Sequence, residues 1–332
     1  MVTIQAIRKS NARIAELPPG FVALFLGATS GIGQSALVQF ARYAVRPRIY
    51  IVARRASSTT ALLDELQKNN WEGTYTFIEK DVSLICATSD VVEFIKARET
   101  KLDLLFESVG FISLSGRQET AEGLEPSMTT RYYSRIRAVH GLLPLLNAAA
   151  SPRVVSILAG GLEGRMNEED LDLHMHGNYS IIAAAVHSAT MLTLAYEHLA
   201  GENPAISFVH AYPGAVATPL LSRGSTGLVR MLMTGLVHPL VKFLATSVDE
   251  AGARALFYLT SDRYSIKNGT VPLADEIAKS PMSAGGIFLS NETSENVDNE
   301  KVLADFRARG VDKQVWRHTI EIFNACVKKS AI

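Results

Sequence analysis

The chain of 332 residues is poor in cysteine. Its two, Cys86 and Cys326, stand far apart with no metal-ligand spacing around them. That excludes a disulfide framework and suits thiols in a reducing compartment, so a cytoplasmic protein is expected. Neither charge dominates: 33 basic residues balance 33 acidic ones, and no long block of one sign occurs. Nucleic acid and anionic membrane surfaces are therefore not expected partners, and a small molecule remains. HExxH and CxxC arrangements are absent, so no metal is expected. The first 20 residues lack an apolar run of signal-peptide length and read as a short helical extension ended by Pro18, Pro19 and Gly20.

What is present is an ordinary globular composition, 47% hydrophobic and 20% charged. From Phe21 onward, short apolar runs alternate with helical patterns: "FVALFLG", "RIYIVAR", "TYTFIEKD", "LDLLFES", "RVVSILAG" and "ISFVHAYPG". This alternation predicts βαβ units and an α/β, doubly wound parallel sheet of Rossmann type, with "GGIFLSN" as a last edge strand and a C-terminal helix around Trp316. Residues 21–332 read as one domain, since no composition shift divides them. The apolar stretch "GLVRMLMTGLVHPLVKFLA" is interrupted by Arg230, His238 and Lys242, which argues against a stable membrane span. It reads as a helical lid, about residues 220–246, over an apolar substrate; a membrane-touching amphipathic segment is the alternative. A homo-oligomer is compatible with this composition.

"LGATSGIG" follows the first strand and opens a helix. Gly27 allows a tight turn, Gly31 lets backbone approach a pyrophosphate, and Gly33 lets helix and sheet pack closely, with phosphates at the helix N-terminus. The spacing G-x-x-x-G-x-G resembles the short-chain dehydrogenase/reductase family, and the resemblance runs from about Phe21 to Thr218. It implies NADP(H) as cofactor, bound at Gly27, Thr29, Ser30, Gly31, Ile32 and Gly33. Arg54 and Arg55 stand where an acidic residue would serve the unphosphorylated cofactor, and guanidinium groups suit a 2′-phosphate. Asp81 and Val82 match the adenine contacts, and Gly110 persists from the motif closing the fourth strand. Pro213, Gly214, Val216 and Thr218 match the turn beside the nicotinamide.

The same resemblance implies a relay of Ser, Tyr and Lys, oriented by an Asn, in which the lysine lowers the tyrosine pKa. Only Tyr179 is retained. Ala159 replaces the serine, Ala183 the lysine and Arg131 the asparagine, while Ser156 is expected to be buried within the fifth strand. Lacking an ammonium in the next turn, the Tyr179 phenol should stay protonated, near its ordinary value of about 10 or higher. His187, on the same helix face, and Glu107, at the end of a central strand, are the candidates to assist it. His187 has packing as its other role, and Glu107 is either a general acid or an ion-pair partner of Arg131. Glu163, Asp170, His174 and His176 fill a long loop before Tyr179 as substrate contacts or as solvated side chains.

With "TRYYSR", "HSATM" and "DEAGARALFYLTSDRY", the chain as a whole resembles a branch of the family associated with fungal natural-product pathways, which implies a bulky apolar metabolite. Non-redox acid-base chemistry (isomerisation, rearrangement or cyclisation) in a retained NADP-type pocket is the leading expectation. An NADPH-dependent carbonyl reductase with an altered proton route is the second, and a non-catalytic cofactor-binding protein the third.

Overall fold

The computed structural model describes the chain except residues 57–58, 112–115, 218–244, 268–269, 275 and 331–332. Thr218, and all but the end of the segment assigned to the lid, fall outside the described residues. The strands are β1 Val22–Leu26, β2 Arg48–Ala53, β3 Thr74–Glu79, β4 Leu104–Glu107, β5 Arg153–Ile157, β6 Ser207–Ala211 and β7 Phe288–Ser290. They form one parallel sheet in the order β3-β2-β1-β4-β5-β6-β7. The order reverses between β1 and β4, which opens a crevice at the carboxyl ends of the strands, the ligand position of doubly wound sheets.

The helices are α1 Ile4–Ala12, α2 Gly31–Tyr43, α3 Thr60–Asn69, α4 Ile85–Lys96, α5 Pro126–Met128, α6 Ser134–Asn147, α7 Ile181–Glu202, α8 Val248–Thr260, α9 Glu300–Ala308 and α10 Val311–Ser330. Strand side chains alternate between two apolar layers, as a period of two requires. Ala23, Phe25, Leu104, Phe106, Val155 and Val209 join the layer containing α1, α2 and α8. Leu24, Leu26, Leu105, Val154 and Phe208 join the layer containing α4, α6, α7 and α10. Parity therefore sends Glu107, Ser156 and His210 into the second layer too, and they are register partners in adjacent strands. Their side chains are fully buried.

The N-terminal helix is packed on the sheet's helical cover, with Ile7 and Ile14 buried and Asn11 Nδ2 donating to the Ala253 carbonyl at 2.8 Å. A π-helical turn, Thr129–Tyr133, precedes α6 and contains Arg131. Such turns break the regular i−4 ladder and are common beside functional sites.

Candidate active site

The glycine turn has the shape a pyrophosphate cradle needs. A Cβ on Gly27 would lie 2.5 Å from the Val109 nitrogen, and one on Gly33 would lie 2.4 Å from Ser108 Oγ and 2.5 Å from the Gly27 carbonyl oxygen. No other residue fits either position without shifting the backbone. Ser108 Oγ donates to the Gly27 carbonyl at 3.0 Å and clamps the end of β4 to this turn. Ser30 is the N-cap of α2, but its side chain makes no capping bond, so the helix terminus is not closed by its own cap. Thr29 and Ile32 are half-buried along the turn. Arg54 and Arg55 are exposed just past β2; Asp81, half-buried beyond β3, accepts from the Ser83 amide, and Val82 is buried next to it. Pro213, Gly214 and Val216 follow β6, and Val216 bridges to Thr246. These residues all follow the carboxyl ends of parallel strands, the side on which doubly wound sheets bind their ligands.

Contacts lead from this cradle to the phenol. Val109 abuts Gly27, a Cβ on the next residue, Gly110, would come 4.0 Å from Arg131 Cγ, and the Arg131 guanidinium feels the charges of Tyr179 and Glu125. Tyr179 immediately precedes the N-cap of α7, where Ser180 Oγ accepts the Ala183 amide, so the tyrosine lies just outside that helix. The position four residues on, Ala183, brings no cation. Partial burial raises the phenol pKa first, and the neighbouring Glu125 carboxylate raises it further; Arg131 and Arg117 act in the opposite sense. The phenol is pushed up to about 12, as the missing ammonium leads one to expect.

Glu125 had no role in the sequence analysis. It is the N-cap of α5, with Oε2 accepting the Met128 amide at 2.6 Å and its carboxyl near enough to the Tyr179 phenol to raise the phenol's pKa. The motif "EPSM" carried the signal: an acidic residue followed by proline is a helix start, and such a start places a carboxylate at the helix terminus.

Glu107 and His187 are elsewhere engaged. Glu107 does not look into the crevice: strand parity turns it under the sheet, where Oε2 accepts from Tyr196 Oη at 2.6 Å and Ser156 Oγ at 2.7 Å. Burial raises its pKa, and the nearby cation is Arg135 rather than Arg131. Arg131 fails to reach it because its own neighbours are Tyr179 and Glu125. His187 is buried with both ring nitrogens in use: Nε2 accepts the Asn167 amide at 2.9 Å, and Nδ1 donates to the Leu171 carbonyl at 3.3 Å. It pins the preceding loop to α7, and burial lowers its pKa.

The loop acids also depart from a solvated face. Glu163 accepts from the Gly161 amide, from Thr193 Oγ1 and from Asn299 Nδ2. Asp170 accepts from the His174 and Met175 amides and from Asn178 Nδ2, which fixes the turn leading into Tyr179. His174 and His176 are exposed. Asp170, Asp172 and His174 bring three metal-type ligands within 4.8 Å of one another. Asp170 is filled by its N–H donors, and the His174 ring is held by the acids themselves.

The family model for short chain dehydrogenase matches residues 21–226. The chain belongs to the short-chain dehydrogenase family. Within it the chain is an atypical member. It is 50% identical over 330 residues to the NmrA-like family domain-containing oxidoreductase notO of an Aspergillus species, covering 99% of this chain and 97% of that one. It is 40% identical over 336 residues to oxidoreductase AN1596 of Emericella nidulans, covering 99% and 100%. Among solved structures, L-sorbose reductase from Gluconobacter frateurii, complexed with NADPH and L-sorbose, superimposes with a TM-score of 0.52 at 18% identity, over 72% of this chain and 89% of that one. That likeness is one of fold. Among the described residues no helix is long and apolar enough to cross a membrane.

Proposed function

We propose that this protein is an NADPH-dependent reductase of a bulky, apolar carbonyl metabolite, with Tyr179 as proton donor. The observation that carries this is a phenol held protonated at the end of a contact path from an intact dinucleotide cradle. Reduction asks the phenol only to give a proton to the developing alkoxide, whereas alcohol oxidation would ask it to accept one at neutral pH. The names of the 50% and 40% identical relatives, both oxidoreductases, support the same class. The retained Pro213–Gly214–Val216 turn does so too, since a pocket with no use for the nicotinamide has no reason to keep it. Exposed Leu162, Met175, Ile181 and Ile182 lie in the loop before Tyr179 and the first turn of α7 and suit an apolar substrate.

Redox-neutral acid-base chemistry is the second proposal. Glu107 and His187 no longer serve it, but Glu125 beside Tyr179 gives it a carboxylate and a phenol as base and acid. Stopped-flow mixing with NADPH and a panel of apolar ketones and enones separates the two. Loss of nicotinamide absorbance in step with alcohol formation is expected. Substrate conversion at constant absorbance would replace the reductase with the isomerase, and tight NADPH binding with no conversion across the panel would count against both.

A further inference from the structure

We propose that Cys86 and Cys326 form a reversible thiol–disulfide site, oxidised by small-molecule disulfides of the glutathione type. The two cysteines stand 240 positions apart in the chain, yet the Cys86 thiol donates to the Cys326 carbonyl at 3.5 Å. They are the chain's whole complement of cysteine, and both are thiols. A carbonyl oxygen lies about 2.4 Å from its own Cα, so the Cys86 sulfur is within about 6 Å of the Cys326 Cα. A disulfide spans Cα atoms roughly 4.4–6.8 Å apart, so bonding asks for side-chain rotation and at most a short backbone adjustment.

Both ends of the bond belong to anchored elements. The amides of Ile85 and Cys86 donate to the Glu122 carboxylate at 2.6 and 2.8 Å, which fixes the start of α4. Cys326 ends the buried stripe Val311, Val315, Thr319, Phe323 and Cys326, with which α10 covers the layer it shares with α4. On the same helix, Thr319 Oγ1 meets Tyr132 Oη at 2.5 Å and His318 Nε2 meets Tyr133 Oη at 2.9 Å. The bond would therefore staple to α4 the helix that backs the π-turn bearing Arg131.

Cys86 is half-buried and Cys326 only 2% exposed, so the reagent meets Cys86 first. The Cys86 thiol loses its proton and its sulfur attacks one sulfur of glutathione disulfide; that S–S bond breaks and one glutathione thiolate leaves. Cys326, deprotonated in turn, attacks the Cys86 sulfur of the mixed disulfide and releases the second glutathione. Two protein thiols are oxidised to one disulfide, glutathione disulfide is reduced to two thiols, and the leaving thiolates take up the two protons. None of this depends on hydride transfer, so it stands apart from the reductase reading.

The test equilibrates the full-length protein with glutathione disulfide, quenches it with iodoacetamide and reads it by mass spectrometry. A monomer without alkylated cysteine or glutathione adduct is expected, with peptides joined through Cys86 and Cys326, and dithiothreitol should restore both thiols. The oxidised form should melt at least about 3 °C higher, because the bond closes a loop of most of the chain. Cys86→Ser should abolish the linked peptides and the melting shift together, and Cys326→Ser should stop at the Cys86 mixed disulfide. Two thiols still open to alkylation, glutathione adducts without the linked pair, or a disulfide-joined dimer would each overturn the site. A linked protein that melts no higher would overturn the stapling of α10. The wild-type result decides both whether or not the variants fold.

Discussion

Arg135 Nη1 donates to the main-chain carbonyl of Glu107 at 3.0 Å, and the same guanidinium binds three further carbonyls, those of Ile157, Val109 and Thr130. One buried side chain thus ties the ends of β4 and β5 to the π-turn that carries Arg131. Burial lowers its pKa and the Glu107 carboxyl raises it, so its charge is compensated from below while its donors are spent above. Arg135→Met would leave those carbonyls unsatisfied at about 1–3 kcal/mol each. A total loss of at least ~3 kcal/mol in urea unfolding is expected. A loss below about 1 kcal/mol would mean that water takes over the bonds and the fastening is dispensable.

Tyr179 and Glu107 should behave oppositely. Tyr179→Phe is expected to cut kcat by about 10²-fold or more while leaving NADPH affinity unchanged, because it removes the donor and nothing the cofactor touches. Glu107→Gln should instead leave kcat nearly intact, since Glu107 lies beneath the sheet with Tyr196 and Ser156. Steady-state kinetics on folded samples checks both. Equal losses in the two variants would return Glu107 to the reaction.

Cofactor choice should follow Arg54 and Arg55. Both stand exposed past β2, where a 2′-phosphate would find guanidinium groups without a desolvation cost. The double replacement by Ala should weaken NADPH binding by about tenfold to a hundredfold and leave NADH nearly unaffected, a difference of about 1.4–2.7 kcal/mol. Fluorescence titration with each nucleotide measures it. Parallel losses for both would mean that the arginines support the turn instead of reading the phosphate.

The strands and the glycine turn were legible because both rest on local rules, apolar runs of strand length and glycines where a Cβ cannot fit. The side-chain partners of the site were less so. Glu107 ends its strand, and position alone suggested the crevice; counting alternate residues from Leu105 would have turned it into the α6–α7 layer. His187 was read by helix spacing, which cannot reveal that loop amides occupy its ring. The nearness of Glu125 to Tyr179 is a long-range event with no period to announce it. Arg131 is evident in the sequence, but its neighbours are visible only in the fold.

His210 should impose an acid limit on stability. It is fully buried, with Nε2 accepting the Ala159 amide at 3.0 Å and Nδ1 donating to Thr193 Oγ1 at 2.8 Å, while Thr193 donates to Glu163. Both ring nitrogens are matched to the neutral imidazole. Burial, with nearby Arg135 adding to it, pushes the pKa down to about 3, against about 6.5 in the unfolded chain. Between those values the unfolded chain holds the extra proton, so the stability this group provides is complete above about pH 6.5 and drains as pH falls towards 3. At pH 5.5, one unit below the unfolded value, the loss should be about 1.3 kcal/mol relative to neutral pH. Urea unfolding at both pH values should show that increment in the wild type and lack it in His210→Gln, in which nothing titrates at this position. The same decline in both proteins would place the acid sensitivity in other groups.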